Sequence, residues 1–400
     1  MKSMIKRLKQ LPLARQLSRW FFSLASLLPV HKKLVMFESF SGKQYSCNPR
    51  AIYEYMREHE QGYELCWSAN KQSKDFFEKA NIPYVERLSF KWFIKMARAK
   101  YWVTNSRMPS WVPKPKHNVY IQTWHGTPLK RLVADMEEVH MPGTDRQSYI
   151  EGFHKEARNW DYLLSPNQYS TSIFRRAFDF KGTIIENGYP RNDNLINRNH
   201  DEGISALKRK FGLPEGKKVI LYAPTWRDHE YYEPGKYKFK LQLDLELLQK
   251  ELGEDYVIIL RMHSFVSEMF ELHGYSGFVY DFSTGIDITE LYLVSDILMT
   301  DYSSVFFDYA LLKRPMIFFT YDIELYRAKI RGFYFDFEKE APGPLVMNTK
   351  QVIHAVRGTE LYDYHAKDAS YQAFMDRFCN LDEGKSAQRT VESIFYNTND

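Results

Sequence analysis

The sequence predicts an α/β protein made of two domains with a ligand cleft between them. Short apolar runs, typical of buried strands, alternate with helical stretches along most of the chain. A chain of 400 residues fits two domains of about 150–200 residues each. The polar, asparagine-rich stretch 191–201 is the best candidate for the linker between them. In open parallel sheets ligands bind at the carboxyl ends of the strands, so we expect the chemistry directly after strands.

The composition excludes several classes of protein. The chain is 44% hydrophobic and 26% charged, which is ordinary for a folded globular protein. Its net charge of +5 is too small to indicate a nucleic-acid partner. The three cysteines, Cys47, Cys66 and Cys379, have neither the spacing of a zinc site nor that of a disulfide framework. We therefore expect a protein of the reducing cytosol that has no metal site of its own.

Residues 1–33 form a separate segment, rich in basic and apolar residues and without an acidic residue. The apolar positions recur at steps of three and four residues, so a helix here would be amphipathic. The longest uncharged run, Trp20–Val30, has 11 residues, whereas a membrane-spanning helix needs about 20. Basic residues beside Trp20 and Phe21 predict a helix that lies on an anionic membrane surface. A signal peptide and a helix packed on the protein's own body are the alternatives.

The first domain is expected at 34–195 and the second at 196–365, followed by a helical, amphipathic segment at 366–400. In both domains, strands and helices alternate, which indicates mostly parallel sheets covered on both faces. The strands predicted for the first domain are 34–37, 64–68, 83–86, 101–104, 119–123, 162–164 and 183–185. Those predicted for the second domain are 219–223, 257–261, 278–281, 297–299 and 316–319.

A histidine follows the predicted strand 119–123. His125 precedes Gly126, Thr127 and Pro128, which suit a tight turn into a helix and let a ligand approach the backbone. Histidine titrates near neutral pH and is the usual general base for a hydroxyl group. His125 is therefore the candidate catalytic base, and a structural histidine near a turn is the alternative.

Basic residues end two strands of the second predicted domain. Arg261 and His263 follow an apolar strand, and their charged groups suit a phosphate. Thr225 and Arg227 follow the first strand of that domain and are weaker candidates for the same role. A solvated strand end is the alternative for Arg261 and His263.

The stretch Asp296–Phe319 contains a strand, a hydroxyl-rich turn, a helix and the next strand. Ser303 and Ser304 lie where the strand leads into the helix, and free N–H groups and the helix dipole favour an anion there. With Asp308 as a ligand for ribose hydroxyls, this turn fits a nucleotide. Serines that cap the helix, and a surface position for Asp308, are the alternatives.

Several familiar signatures are absent from the sequence. It contains no G-x-x-x-x-G-K-[ST] phosphate loop, no dinucleotide G-x-G-x-x-G, no H-E-x-x-H and no G-x-S-x-G. The remaining pattern is two histidines, arginines and a serine-rich helix start across a predicted cleft. It fits the transfer of a group from a nucleotide diphosphate donor to a hydroxyl acceptor.

Five motifs occur in order along the chain: Thr123–Lys130 (TWHGTPLK), Asn187–Asp193 (NGYPRND), Ala223–Arg227 (APTWR), Arg261–His263 (RMH) and Thr300–Asp308 (TDYSSVFFD). In these motifs the chain resembles the CDP-glycerol glycerophosphotransferase family of wall teichoic acid synthesis. The general family pattern extends from about residue 34 to about residue 365. Ser264 stands where the family's R-x-H-P motif often has a proline.

The resemblance implies a GT-B fold, in which two Rossmann-like domains face a cleft, and a membrane-associated surface. It implies that His125 is the base, and that His263 is a second catalytic residue, which contacts the donor phosphates together with the serine-rich turn. Four further motif residues then belong to the acceptor side or have structural roles: Gly126, Thr127, Lys130 and Arg191.

The implied reaction transfers glycerol phosphate from CDP-glycerol to a hydroxyl of an undecaprenyl-diphosphate-linked teichoic acid acceptor and releases CMP. The expected location is the cytoplasmic face of a bacterial membrane, as a peripheral protein. No cofactor is implied, although a loosely held Mg²⁺ stays open. The alternatives are a CDP-ribitol enzyme, a GT-B nucleotide-sugar transferase or UDP-sugar epimerase, and a non-catalytic peripheral membrane protein. Primase and polymerase activity, several acceptor sugars and any oligomeric state are compatible with the sequence.

Overall fold

Two parallel β-sheets with helices packed on them form the frame of the molecule. This arrangement confirms the predicted α/β class. The computed structural model describes residues 12–139, 144–225, 227, 231–233, 236–237, 241–262, 272–326, 332–361 and 369–396.

The first sheet contains every strand predicted before residue 195, with ends shifted by a few residues. Its strands are β1 (His31–Glu38), β2 (Glu64–Ala69), β3 (Tyr84–Glu86), β4 (Ala99–Thr104), β5 (Val119–Gln122), β6 (Tyr162–Ser165) and β7 (Thr183–Glu186). All pairs are parallel, and the order across the sheet is β3-β2-β1-β4-β5-β6-β7.

The remaining strands follow in the second half of the chain. They are β8 (Lys218–Ala223), β9 (Tyr231–Glu233), β10 (Lys236–Tyr237), β11 (Tyr256–Leu260), β12 (Val279–Asp281), β13 (Ile297–Thr300), β14 (Met316–Phe319) and β15 (Leu345–Val346). Strands β9 and β10 form a separate antiparallel pair. The other six form a parallel sheet in the order β12-β11-β8-β13-β14-β15. The central part of the first sheet and this second sheet are therefore wound in the same way, outward from the first strand of each.

Helices connect the strands and cover the sheets. Sixteen α-helical segments are described: Pro12–Ala25, Cys47–His59, Lys74–Lys79, Phe90–Arg98, Arg146–Ala157, Gln168–Ala177, Asp193–Asn197, Asp201–Lys210, Leu245–Leu252, Ile288–Val294, Val305–Tyr309, Ile323–Leu325, Phe337–Glu340, Thr349–Leu361, Ala369–Phe378 and Ser386–Val391.

The strands read as continuous apolar runs because both faces of each sheet are buried. In β1, Leu34 and Met36 pack into one core cluster, whereas Val35 and Phe37 pack into the cluster on the opposite face. The same alternation occurs in β11, whose five residues are all buried. Helices therefore cover both faces, and only the ends of the strands are left open for ligands.

Segment 191–201, expected as a polar linker, lies between the two sheets along the chain and is itself folded. The turn Pro190–Asn192 leads into the helix Asp193–Asn197, and Leu195 is buried in the core of the second sheet. The chain then crosses back near its end, where Val391, Ile394 and Phe395 pack in the core of the first sheet. The two halves are thus joined at both of these segments.

A helix lies at Pro12–Ala25, within the segment where an amphipathic, membrane-associating helix is predicted, and its association with a membrane stays a prediction. Phe22 is fully buried and packs against Trp92 and Trp102 of the first sheet's core. A stripe of apolar side chains on the same segment remains exposed to solvent: Leu13, Leu17, Trp20, Leu24 and Leu27. Among the described helices, none has the length and apolarity needed to cross a membrane.

Candidate active site

A cavity of about 530 Å³ lies between the carboxyl ends of the two sheets. In the first sheet, it is lined by Phe40 after β1 and Ser106 after β4. In the second sheet, it is lined by Thr225 after β8 and Ser304 after β13. Strand order reverses at each of these strand pairs, and such crevices are where open α/β sheets bind ligands.

His125 lines this cavity just beyond the end of β5. Its Nδ1 lies 2.7 Å from the backbone oxygen of Asn105. A carbonyl oxygen can only accept a hydrogen bond, so Nδ1 carries the proton and donates it. The lone pair is therefore on Nε2, the nitrogen that a general base would use.

The pKa of His125 is lowered to about 4, mainly because the protein removes the ring from bulk water. The positive charge of Arg191 lowers it further, while the bond to Asn105 acts in the opposite direction. The imidazole is consequently neutral at neutral pH. It can accept a proton as soon as a substrate hydroxyl is within reach.

Gly126 allows the two edges of the cavity to approach closely. A side chain at this position would place its Cβ 2.8 Å from Oγ of Ser304, which belongs to the opposite sheet. The Tyr189 hydroxyl also donates to the backbone oxygen of Gly126 at 3.1 Å. The predicted role of Gly126 on the acceptor side stays a prediction, but its lack of a side chain has this steric reason.

Ser303 and Ser304 line the cavity on the side of the second sheet. The helix Val305–Tyr309 begins directly after them, and the side chain of Ser304 does not cap it. Neither hydroxyl makes a hydrogen bond to any residue that the structure describes. The alternative of a helix cap formed by Ser304 is thus not observed, and both hydroxyls are available to a ligand.

Two of the three predicted arginines are held by internal carboxylates. Arg191 donates to Asp308 at 2.6 Å and to the backbone oxygen of His125 at 2.8 Å. Arg227 donates to Asp301 at 2.8 Å, and to the two oxygens of Asp322 at 2.7 and 2.9 Å. Both guanidinium groups are buried, and their acidic partners raise the pKa of each.

Arg261 is different because no carboxylate among the described residues forms an ion pair with it. Its Nη1 donates to the backbone oxygen of Phe282 at 2.5 Å, and its side chain lines the cavity. Burial lowers its pKa, although Asp287 opposes this shift. A half-buried guanidinium that forms no ion pair with a described residue favours an anion such as a phosphate.

The other predicted site residues have more varied positions. Asp308 is paired with Arg191 and buried, so its predicted contact with ribose would require that pair to open. The backbone N–H of Thr225 donates to Asp301 at 2.8 Å. Thr127 and Lys130 line the cavity beside His125. His263 lies outside the described residues.

The loops after β1 and β4 supply lining residues that sequence reasoning did not single out, namely Phe40, Ser41, Lys43, Gln44 and Ser106. The sequence could have pointed to these residues, because they lie just after strands, as His125 does. Among the described residues, no group of three or more His, Cys, Asp or Glu side chains could hold a metal ion.

Two sheets of the same winding that face one cavity define a GT-B-like protein. The chain matches the family described as CDP-Glycerol:Poly(glycerophosphate) glycerophosphotransferase over residues 20–396. The chain therefore belongs to this family, as its motifs predicted.

Curated relatives and solved structures agree with this assignment. The chain is 60% identical to a teichoic acid poly(glycerol phosphate) polymerase of Bacillus subtilis strain 168, over 94% of this chain and 50% of the relative. It thus spans about half the length of that protein. A polymerase of the same description from Bacillus spizizenii is 55% identical, over 93% of this chain and 94% of the relative. A variant of the wall teichoic acid polymerase TagF, soaked with CDPG, has a TM-score of 0.85 and 41% identity, covering 99% and 97% of the two chains.

Proposed function

We propose that this protein transfers glycerol phosphate from CDP-glycerol to a hydroxyl group of a lipid-linked teichoic acid acceptor and releases CMP. The observation that supports this most directly is the neutral imidazole of His125 across the cavity from two serine hydroxyls that make no hydrogen bond, and an arginine that forms no ion pair, among the residues that the structure describes. One edge can take up a proton, and the other can hold a diphosphate. The CDPG-soaked relative supports CDP-glycerol as the donor.

The chemical step needs one base and a well-held donor. Nε2 of His125 removes the proton of the acceptor hydroxyl as its oxygen attacks the β-phosphorus of CDP-glycerol. A new phosphorus–oxygen bond forms, and the bond from that phosphorus to the bridging oxygen breaks. CMP leaves with the electron pair of the broken bond. Phosphoryl transfer depends mainly on positioning and electrostatics, which such a small set of groups can supply.

Ser303, Ser304 and Arg261 are the groups that we assign to the donor diphosphate. Their hydroxyls and guanidinium face the same cavity and would offset the charge that develops on CMP. His263 is proposed to join them, on the strength of its motif alone. Arg227 and Asp308 would act indirectly, since internal partners hold both.

The acceptor is proposed to be an undecaprenyl-diphosphate-linked saccharide or its glycerol phosphate chain. The helix Pro12–Ala25 supports a location at the cytoplasmic membrane surface, because its apolar stripe faces solvent. Leu17 is 64% exposed and Trp20 is 70% exposed, with the basic residues Arg15 and Arg19 beside them. A peripheral helix of this kind would hold the cavity close to a membrane-bound acceptor.

The reaction is tested by incubating the purified protein with CDP-glycerol and a lipid-linked disaccharide, followed by mass spectrometry. We expect mass increases in units of glycerol phosphate and an equal release of CMP. Many added units indicate a polymerase, and one unit indicates a primase. CDP-ribitol and a UDP-sugar, each in competition with CDP-glycerol, should be used poorly. If either is the better donor, or no donor is used, the proposal is wrong.

Membrane binding is tested separately by co-sedimentation with vesicles of anionic phospholipid. Replacing Trp20 and Leu24 by serine should release the protein from the vesicles. Replacing Leu325, an exposed apolar residue on the other half of the chain, by serine is the matched control. If both variants bind the vesicles equally, the helix does not hold the protein at the membrane. The proposed transfer reaction is unaffected by that outcome.

A further inference from the structure

Three buried carboxamides surround the backbone next to His125. Asn48, Asn105 and Gln122 have no exposed surface, although each carries strongly polar groups. Burying an amide is unfavourable unless its hydrogen bonds are made, so the hydrogen bonds of these three side chains contribute to holding the backbone here. Below, these three residues are called the carboxamide cage.

Gln122 and Asn48 hold the residue immediately before the histidine. Trp124 has a φ of 53°, in the left-handed region that a bulky residue rarely adopts. Oε1 of Gln122 accepts its backbone N–H at 3.0 Å. Nδ2 of Asn48 donates to its backbone oxygen at 3.3 Å and to that of Thr123 at 3.0 Å. These bonds offset the strain of the turn that directs the imidazole into the cavity.

Asn105 holds the imidazole itself and the loop opposite. Its backbone oxygen accepts from Nδ1 of His125 at 2.7 Å. Its side-chain Oδ1 accepts the backbone N–H of Phe40 at 2.8 Å, and its Nδ2 donates to Oγ of Ser39 at 3.0 Å. Phe40 is left-handed as well, with a φ of 46°, and its ring packs edge-on against His125 at 5.7 Å. Asn105 thus connects two contacts of the imidazole. One is the hydrogen bond that fixes its tautomer, and the other is the ring of Phe40, which limits its movement.

We propose that Asn48, Asn105 and Gln122 are positioning residues, which hold His125 in the orientation and tautomer that direct Nε2 at the acceptor hydroxyl. This inference rests on the proposed role of His125 as the base. None of the three needs to contact the substrate. Their effect on the reaction would come through the histidine, since misplacing a reacting group by about 1 Å can cost about a hundredfold in rate.

The main test replaces Asn105 by alanine and measures kcat, the KM for CDP-glycerol and the binding of CDP-glycerol. We expect kcat to fall between about tenfold and a hundredfold, with donor binding within twofold of the wild type. Asn118→Ala is the matched control. Asn118 is a buried asparagine at the opposite end of β5, and its Nδ2 donates to the backbone oxygen of Ala99 at 3.1 Å. Its loss should lower stability in a similar way and leave kcat unchanged.

The pH profile separates positioning from a merely structural role. Loosening the cage lets water reach the imidazole, so the acid limb of kcat should move upward from about pH 4 toward the ordinary histidine range. Asn118→Ala should not move this limb. Gln122→Met should behave like Asn105→Ala. Gln122→Glu keeps the same shape. Its protonated acid can accept the backbone N–H of Trp124 and donate to the backbone oxygen of Ser106, which Nε2 of Gln122 contacts at 3.4 Å, so its activity should recover as the pH is lowered.

The outcomes distinguish this inference from the function on which it rests. If His125→Ala still transfers glycerol phosphate, the role of the base is wrong and the cage loses its purpose. If His125→Ala is inactive but Asn105→Ala behaves like Asn118→Ala, only the positioning role is wrong. A parallel loss of donor binding and kcat in Asn105→Ala would likewise overturn it, because the whole cleft would then have collapsed.

Discussion

The two edges of the cavity are built in contrasting ways. At the edge of the first sheet, the carboxamide cage binds the backbone just before His125 and the imidazole itself, and Arg191 holds the carbonyl oxygen of His125. At the edge of the second sheet, the hydroxyls of Ser303 and Ser304 make no hydrogen bond within the described part of the chain. The groups next to His125 are thus held by internal hydrogen bonds, whereas the hydroxyls of Ser303 and Ser304 stay open among the described residues.

This difference suggests how the work is divided between the sheets. A base acts best when its orientation is already fixed, because no reorganisation is then needed during the reaction. A donor site must instead exchange water for phosphate oxygens, so its hydroxyls and guanidinium have to stay available. A rigid edge for chemistry and a receptive edge for binding should respond differently to substitution.

The largest effect is expected at the rigid edge. His125→Ala removes the proposed base and should lower kcat by about 10²- to 10⁴-fold, while calorimetry should show unchanged binding of CDP-glycerol. His117→Ala is the control, because His117 lies near the start of the same strand and its Nε2 contacts the backbone oxygen of Ala97. Near-normal turnover in His125→Ala, or a parallel loss of binding, would break the proposed division.

Breaking the ion pair between Arg191 and Asp308, which connects the two edges, should have almost as large an effect. Asp308→Ala leaves the buried guanidinium of Arg191 without its partner, so the free energy of unfolding should fall by about 3–5 kcal/mol. The double variant Arg191→Met with Asp308→Leu should recover much of this stability but not kcat, since the bond from Arg191 to the His125 backbone is gone. Urea denaturation and steady-state kinetics measure the two effects.

Arg357→Ala provides the reference for an ordinary ion pair. Arg357 pairs with Glu251 at the surface, at 2.8 Å, and such pairs contribute at most about 1 kcal/mol. If Asp308→Ala is no more costly than this control, the two edges are not held by the buried pair. Their contrast would then need another explanation.

A smaller and more specific effect is expected where the edges touch. Gly126→Ala would push its new methyl group against the hydroxyl of Ser304, which must turn away. We expect the KM for CDP-glycerol to rise about tenfold, with little change in kcat. A change of about tenfold corresponds to the loss of one hydrogen bond to a charged group. In the Ser304→Ala background the added methyl meets only Cβ at 3.5 Å, so it should have almost no further effect. Additive effects would show that Ser304 does not mediate the loss.

Much of this arrangement could be predicted from the sequence, and for a physical reason. Strands buried on both faces must be apolar throughout, so runs such as Val257–Leu260 can be recognised as strands from the sequence alone. Strand β15 was missed because two residues, Leu345–Val346, are too short to show a pattern. His125 and Ser304 could be singled out because each lies a few residues after a strand, and both line the cavity.

The partners of the site residues were not predictable in the same way. Asp308 was expected to meet a ribose, and its pairing with Arg191, 117 positions away, depends on how the two sheets are placed. The same holds for Asn48, whose amide reaches the backbone oxygen of Thr123 from 75 positions away. Motifs identify which side chains meet a cavity, but long-range packing decides which of them are already occupied.

The smallest effect is expected at the junction between Asp382 and Tyr189, which supports the turn at Gly126. The carboxylate of Asp382 accepts the backbone N–H of Tyr189, whose hydroxyl in turn binds Gly126. Removal from bulk water raises the pKa of Asp382 from 3.8 to about 7. The folded protein therefore keeps this proton at pH values where the unfolded chain has lost it, and stability should fall as the pH rises from about 4 to about 7.

Asp382→Asn keeps the accepting oxygen but cannot ionise. Melting temperatures measured between pH 4 and pH 8 should therefore decline less with rising pH in this variant than in the wild type. Its kcat at neutral pH should be unchanged, because the contact that supports Gly126 is preserved. A changed kcat with an unchanged pH slope would instead mean that the charge of Asp382 reaches the cavity, and the rigid edge would then include the junction as well.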